Sequence, residues 1–421
     1  MAGSNATTHM QRQFSQTDAL TYDRNLAHTK WWYKKWNTET LKYDERKEYL
    51  PDANQTITYG SGTPLVFTIP LHPDLTGPVQ LIWNQTPVTL GGGTYARFKD
   101  HAALAMIERI EVRQANNRIF VHYPIKKYLR CKKFLTDERK AFEDINLAGD
   151  LTATQRDFLA TQTQEFTYCI PFPWSTGRPG DYQEIKPLSQ PLTYNIYFNK
   201  LSHFIETDSP GGAGVSTTTT NMRSRHHNVY FLPTERDAHW AATQEKDGFV
   251  RLIEESFFES NTNQVIPAGQ TGVFNYDIKN VKSSLRWIAF FLIPTQYAFT
   301  DWNNRIYDDT VYYKGLKRFR LASGIGDEIT PWIDYNYSIF YLSKAYWNGR
   351  PGIPIVVHTW DDNPQNEFDA KGRYNLQGIQ NPQLQLDFGT VATVDNLQPV
   401  VIYSQDNFTQ TVKGELNTTF V

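Results

Sequence analysis

Charge is scarce in this chain. Asp, Glu, Lys and Arg make up 20 % of its 421 residues, below the ~25 % usual for soluble domains. Charge-rich disorder and long coiled coils are therefore poor fits. Cysteine is scarcer still: Cys131 and Cys169 are the only two, which excludes a disulfide scaffold and leaves room for one bridge at most. The 42 basic and 44 acidic residues nearly cancel, giving a formal charge of −2 and a pI of about 6.6. Polyanion binding needs clustered cations, so specific nucleic-acid recognition is not expected. Long apolar runs are missing as well. The longest, Trp287–Pro294 (WIAFFLIP), has the length of a strand, and nothing approaches the ~18 residues that would span a bilayer. The opening MAGSNATTHMQRQFSQ has no apolar core and is not expected to act as a signal peptide.

The signatures of common chemistry are also missing. Gly91–Gly93 is not followed by the Gly-Lys-Ser/Thr of a phosphate loop, and neither G-x-S-x-G nor H-E-x-x-H occurs. The cysteines are not at zinc spacing. His226 and His227 are adjacent; neighbours in a strand point opposite ways, so they make a poor joint metal site and read as exposed loop residues. Acidic pairs stand at Asp308–Asp309 and Asp361–Asp362, where solvated loops are the simplest reading. His101 reads as a segment-start residue, and each cysteine as a small buried apolar side chain. Catalytic, cofactor-binding and metal-ligating residues are accordingly expected to be absent. Six N-x-S/T sequons, at Asn5, Asn54, Asn84, Asn336, Asn407 and Asn417, are what a chain rich in Asn and Thr yields by chance.

What the chain does have is aromatic residues, 25 Phe, 24 Tyr and 11 Trp, the side chains that pack well on a pleated sheet. From about Thr56 short apolar runs are cut by Gly, Pro, Asn and Asp, the pattern of many short strands. IERIEVRQANNRIFVHY predicts a hairpin, Ile110 and Val112 on one strand, Gln114–Asn117 as the turn, and Ile119 and Val121 on the other. Asn is the residue there that tolerates left-handed backbone. A change of period over 128–164 predicts helix, with Thr136 as N-cap and Phe134, Leu135, Phe142 and Ile145 as one face, then a short helix starting at Thr152 or Thr154. The second half predicts strands throughout, among them VFNYDI, WIAFFLIP, YNYSIFYLSKAY, IPIVVHTW and QPVVIYSQDNFTQTV. The fold class expected is all-β: two consecutive eight-stranded jelly-roll sandwiches, with a helical insertion in the first and an N-terminal arm. The expected divisions are 1–54 for the arm, 55–205 for the first sandwich, 206–228 for a linker or exposed loop rich in Gly, Ser and Thr, and 229–421 for the second sandwich. In the arm, Trp31, Trp32, Tyr33 and Trp36 alternate with lysines. Such a segment suits docking on a neighbouring subunit, a membrane headgroup layer or single-stranded nucleic acid, and most simply a helix packed on its own domain.

The order of these elements resembles the double jelly-roll major capsid proteins of adenovirus-type viruses, large nucleocytoplasmic DNA viruses, virophages and tailless phages. IERIEVRQANNRIFVHY is similar to that family's charged strand, turn and return strand, with Gln114-Ala115-Asn116-Asn117 where the family has glycines. Residues 169–201, CIPFPWSTGRPGDYQEIKPLSQPLTYNIYFNKL, resemble the end of its first jelly roll. EFDAKGRYNLQGIQNPQLQLDF, with Gly372, Asn375 and Asn381, and the following PVVIYSQDNFTQTVKGEL resemble its C-terminal strands. The resemblance implies a non-enzymatic shell protein of the virion, made and assembled inside the host cell. It implies a homotrimer forming a pseudo-hexagonal tile, neighbouring capsomers, minor and penton proteins as partners, and a membrane beneath the shell in some members. On that reading Glu206–Asn228 and Thr300–Gly315 would build outward loops, while Trp31, Trp32, Tyr33 and Trp36 would make inter-subunit or membrane-proximal contacts. Two other readings compete. A β-sandwich that binds or cleaves glycans would use Trp near paired acids, as in His358–Asp362. A single jelly roll with a projecting domain would replace the second sandwich by something else.

Overall fold

The computed structural model describes residues 42–52, 57–124, 151–172, 182–231, 249–259, 263–279, 284–295, 315–342, 355–360, 372–390 and 396–420, without 100, 377 and 378, and the single positions 55, 149, 174, 281 and 393. Its first eleven strands are β1 (Lys42–Tyr49), β2 (Leu65–Ile69), β3 (Leu75–Gln85), β4 (Ala96–Phe98), β5 (Ile107–Gln114), β6 (Asn117–His122), β7 (Gln164–Ile170), β8 (Gln183–Glu184), β9 (Leu192–Phe198), β10 (Ile205–Thr207) and β11 (Thr219–Phe231). Two antiparallel sheets face each other, β1-β11-β3-β7 with β8 beside β3, and β2-β9-β5-β6; β4 and β10 form a small ribbon. The remaining strands are β12 (Phe249–Glu259), β13 (Val273–Asp277), β14 (Ser284–Pro294), β15 (Arg318–Ala322), β16 (Ile333–Asp334), β17 (Val356–Thr359), β18 (Tyr374–Asn375), β19 (Gln383–Asp387), β20 (Leu397–Val412) and β21 (Glu415–Phe420). They form β12-β20-β14-β17, with β18 and β21 at its ends, and β13-β19-β15-β16. Leaving out the short side strands, both sandwiches have one order: first, eighth, third and sixth strand in one sheet, second, seventh, fourth and fifth in the other. That is a jelly roll twice over, the expected fold class.

Alternation decides most of these strands. In β2, Leu65, Phe67 and Ile69 are buried and Val66 and Thr68 only partly so, the period-2 pattern of a sheet with one dry face. The β5–β6 hairpin forms as expected, but its left-handed residue is Ala115 (φ 51°), not an asparagine. Helix α1 (Ala102–Met106) follows His101, which starts the segment with a left-handed backbone. Helix α2 (Ala153–Ala160) begins at Thr152, where Thr152 Oγ1 accepts from the Gln155 N–H and the Gln155 side chain accepts from the Thr152 N–H, a reciprocal cap. The earlier helix expected from Thr136, with Phe134, Leu135, Phe142 and Ile145, lies outside the described residues.

Three expectations need correction. Residues 206–228 are no linker: β11 lies between β1 and β3 and completes the first sandwich. Its polar composition misled because the polar side chains are inside. Thr219, Ser224, His226 and Asn228 are buried, and Thr219 Oγ1 bonds Gln85 (2.7 Å) and the Tyr59 hydroxyl. Second, β1 falls within the segment assigned to the arm and is an edge strand of the first sandwich, so the chain passes between sandwiches after Phe231 and before Phe249. Third, the YNYSIFYL run is not a strand; Tyr335–Leu342 winds into a helical turn, of π type from Tyr337.

Strand β14 explains the longest apolar run. Ser284–Ile293 are all buried. Ile288, Phe290 and Leu292 belong to the core of the second sandwich, together with Val356, Val401 and Tyr403. Trp287, Ala289, Phe291 and Ile293 belong to the apolar cluster that fills the first sandwich, together with Val357, Val400 and Ile402. The sheet is dry on both faces, so it cannot show alternation.

Candidate functional site

The best-defined junction of the molecule lies between the two sandwiches. Edge strand β6 of the first packs on β12 and β21 of the second. Two hairpin tips meet there. The β20–β21 turn places both Lys413 (φ 50°) and Gly414 (φ 82°) in left-handed backbone, the geometry of a tight two-residue hairpin. The Gly414 carbonyl accepts from Gln114 Nε2 (2.8 Å), the Ser189 N–H (2.8 Å) and Ser189 Oγ (3.0 Å). Gln114 Oε1 in turn accepts from the Leu416 N–H (2.7 Å). One buried amide therefore satisfies a carbonyl and an N–H of the second sandwich as a neighbouring strand would. Thr418 Oγ1 donates to the Ile119 carbonyl (2.6 Å), and Leu416 lies in the first core. A Cβ on Gly414 would stand 2.9 Å from the Ser189 nitrogen and 3.0 Å from the Pro187 carbonyl oxygen.

The sequence-derived candidates fare unevenly. Trp31, Trp32, Tyr33 and Trp36 lie outside the described residues, as do Cys131, Asp308, Asp309, Asp361, Asp362 and the proposed outer loop from Thr300 up to Gly315. His226 is not an exposed loop residue. It is fully buried on β11 and stacked on Tyr194 (centroids 5.3 Å apart), and burial pushes its pKa down to about 3. Adjacent His227 does point the other way and accompanies Tyr182 (2.8 Å from Nδ1 to the hydroxyl). Ser224 Oγ and His226 Nε2 are 2.7 Å apart, but both residues are fully buried and Nδ1 faces the Thr76 hydroxyl, 3.2 Å away. A hydrolytic nucleophile needs access and a carboxylate behind its base, so this pair is packing. Cys169 is exposed, contrary to expectation; Tyr168 and Ile170 take the inward positions of β7 and leave it outside. Trp360 stands edge-on to His358 (4.7 Å) and close to Tyr374 (5.5 Å), part-buried against the second core and not splayed for sugar stacking. Among the described residues, no group of three or more His, Cys, Asp or Glu is placed to hold a metal ion.

Two further features stand out. Glu111 on β5 is clamped between Arg109 Nε (3.0 Å) and Arg113 Nη2 (2.7 Å). Burial would raise its carboxyl, but the two guanidinium groups outweigh burial and hold the pKa below the ordinary carboxylate range. The second feature was missed in the sequence. Tyr337, Phe340 and Tyr341 are 48 %, 51 % and 58 % exposed on the helical turn that packs on β16 and β17. Tyr337 and Tyr341 are stacked at 4.9 Å. Their i, i+3, i+4 spacing was the available signal, hidden by β-favouring aromatics around it.

No family model matches the sequence, and no curated protein matches it. Solved structures do. VP54 of PBCV-1, in a crystal structure fitted into a reconstruction of the virophage Sputnik, superimposes with a TM-score of 0.69 at 14 % identity, over 91 % of this chain and 98 % of that one. The Faustovirus major capsid protein gives 0.59 at 10 % identity, over 88 % and 90 %. The Sputnik virophage structure gives 0.56 at 11 % identity, over 91 % and 89 %. The likeness spans both sandwiches, and the fold is that of the double jelly-roll major capsid proteins.

Proposed function

We propose that this chain is the major capsid protein of an icosahedral DNA virus, a non-catalytic building block whose trimers form pseudo-hexagonal capsomers of the virion shell. The observation that carries this reading is the doubled jelly roll itself, two sandwiches of identical strand order matched by PBCV-1 VP54 over 91 % of this chain. Three chains of two sandwiches supply six similar units, which tile a hexagonal lattice from one gene product. Fold alone hosts many activities, and the structural role is read from the likeness to major capsid proteins. The partners of this reading are neighbouring capsomers, minor and penton proteins, and a membrane beneath the shell contacted by Trp31, Trp32, Tyr33 and Trp36 of the arm. Light scattering with negative-stain imaging of the purified protein tests it. The expected species has three times the 48.7 kDa chain mass and a hexagonal outline. A protein that stays monomeric at tens of micromolar overturns the proposal.

A further inference from the structure

Strand β1 is held to the first sandwich by polar contacts. It is an edge strand, and among the described residues its ladder runs to β11 alone. Its sequence, KYDERKEY, has no aliphatic side chain. On the outer face Glu48 pairs with Arg225 (2.6 Å) and Arg223 (3.5 Å). On the inner side the Tyr230 hydroxyl donates to Glu45 (2.8 Å), and Asn228 Nδ2 donates to the Tyr49 hydroxyl (2.8 Å). Solvent-facing ion pairs of this kind contribute little each.

Under this strand lies His226. Its Nδ1 faces the Thr76 hydroxyl (3.2 Å) and its Nε2 the Ser224 hydroxyl (2.7 Å). Tyr194 of β9 stacks on the ring, and Tyr49 of β1 closes it edge-on at 5.0 Å. The other ionisable groups nearby are Lys47, directly across the ladder on β1 and 3.8 Å from Glu45, buried Asp74 two residues before Thr76, and buried Glu184 beside Leu75. Two hydroxyls suit a neutral imidazole, whereas an imidazolium sealed from water is costly. Of the strands around the ring, β3, β9 and β11 each have a partner on both sides, and β1 has one. Lifting β1 with Tyr49 is therefore the least costly way for water and a proton to reach His226. It also opens a pocket in which Asn228 Oδ1, buried, has no hydrogen-bond partner among the described residues.

We propose that His226 is an acid-sensing latch: in mild acid its protonation favours a state in which β1 has left β11, loosening the attachment of residues 1–41, which precede β1, while both sandwiches stay folded. This goes beyond the capsomer reading and does not depend on it. Linkage gives the sign and size. The closed state refuses the proton down to about pH 3, and the open state takes it up below an ordinary 6.5. Opening is therefore favoured as pH falls, by about tenfold between pH 7.5 and 5.5.

Peptide-resolved hydrogen exchange of the full-length protein, corrected for the intrinsic pH dependence of exchange, tests the latch. Protection of Lys42–Tyr49 should fall by about tenfold from pH 7.5 to 5.5, while β14 and β9 keep theirs. His226→Gln should abolish that response. Two other histidines stand near β1: His227, across the ladder from Arg46 and beside Tyr182, and His72, edge-on to Tyr230. His227→Gln and His72→Gln should keep the response. Should His226→Gln fail to fold, Tyr49→Ala gives the second reading: with the ring already open to water, β1 should exchange faster at pH 7.5 and change little at 5.5. Protection of β1 that is the same at both pH values in the wild type, or a response that survives His226→Gln or is lost in His227→Gln or His72→Gln, overturns the proposal. So does a loss spread equally over β1, β9 and β14, which would be global unfolding.

Discussion

Ala115 takes a positive φ in a hairpin turn without being the residue type that tolerates it. A left-handed backbone costs a residue with a Cβ roughly 1–2 kcal/mol, so Ala115→Gly is expected to stabilise the protein by about 1 kcal/mol in chemical denaturation, the gain reduced by the looser unfolded chain. Buried ionisable groups set the response to acid. The folded-state pKa of His226 is depressed to about 3 from an ordinary 6.5. Below 6.5 the unfolded chain takes up a proton that the folded chain refuses, so stability falls from there down to about pH 3. His358, depressed to about 4 by burial, acts in the same sense. Glu111 and Glu206 lie below the ordinary carboxylate range because Arg109, Arg113 and Arg97 outweigh burial. Their contribution is present above the ordinary range and is lost as pH drops through their folded values. Melting temperature against pH should therefore decline in two stages, first below about 6.5 and more steeply below about 4.5. His226→Gln is expected to flatten the first stage and leave the second; an unchanged slope between pH 6.5 and 5 would refute the assignment.

At the scale of elements, the clasp between the β5–β6 and β20–β21 hairpin tips governs whether the sandwiches act together. Gly414→Ala would put a Cβ against backbone atoms at 2.9 and 3.0 Å in a left-handed turn, and is expected to cost about 2–3 kcal/mol. Gln114→Leu leaves the Leu416 N–H without its acceptor at 2.7 Å and should cost about 1–3 kcal/mol. The wild-type protein is expected to melt in a single calorimetric transition. Ending the chain after Val412 removes β21 and with it Leu416 from the first core, and should separate that transition into two. One transition in the truncated chain would show that the β14–β20 face alone couples the sandwiches.

At the scale of the whole molecule, what the sequence by itself determined was the class: many short strands, aromatic-rich, with no catalytic signature. Local rules suffice for that, because alternation, turn residues and caps act over a few positions. The β5–β6 hairpin and the Thr152 cap were legible for this reason. The errors fall where long-range contacts overrule local composition. Residues 206–228 look like a linker, yet from Thr219 they belong to a central strand, because Gln85, Tyr59, Thr76 and Tyr194 surround its polar side chains from elsewhere in the chain. WIAFFLIP announces burial but not that its two faces serve different sandwiches. Tyr337, Phe340 and Tyr341 read as strand residues in the sequence, yet their turn packs on β16 and β17 and leaves them exposed. Composition fixes how much surface must be buried. Which face meets which depends on residues hundreds of positions apart, as Gln114 and Gly414 are, and that is decided only when the two sandwiches close on each other.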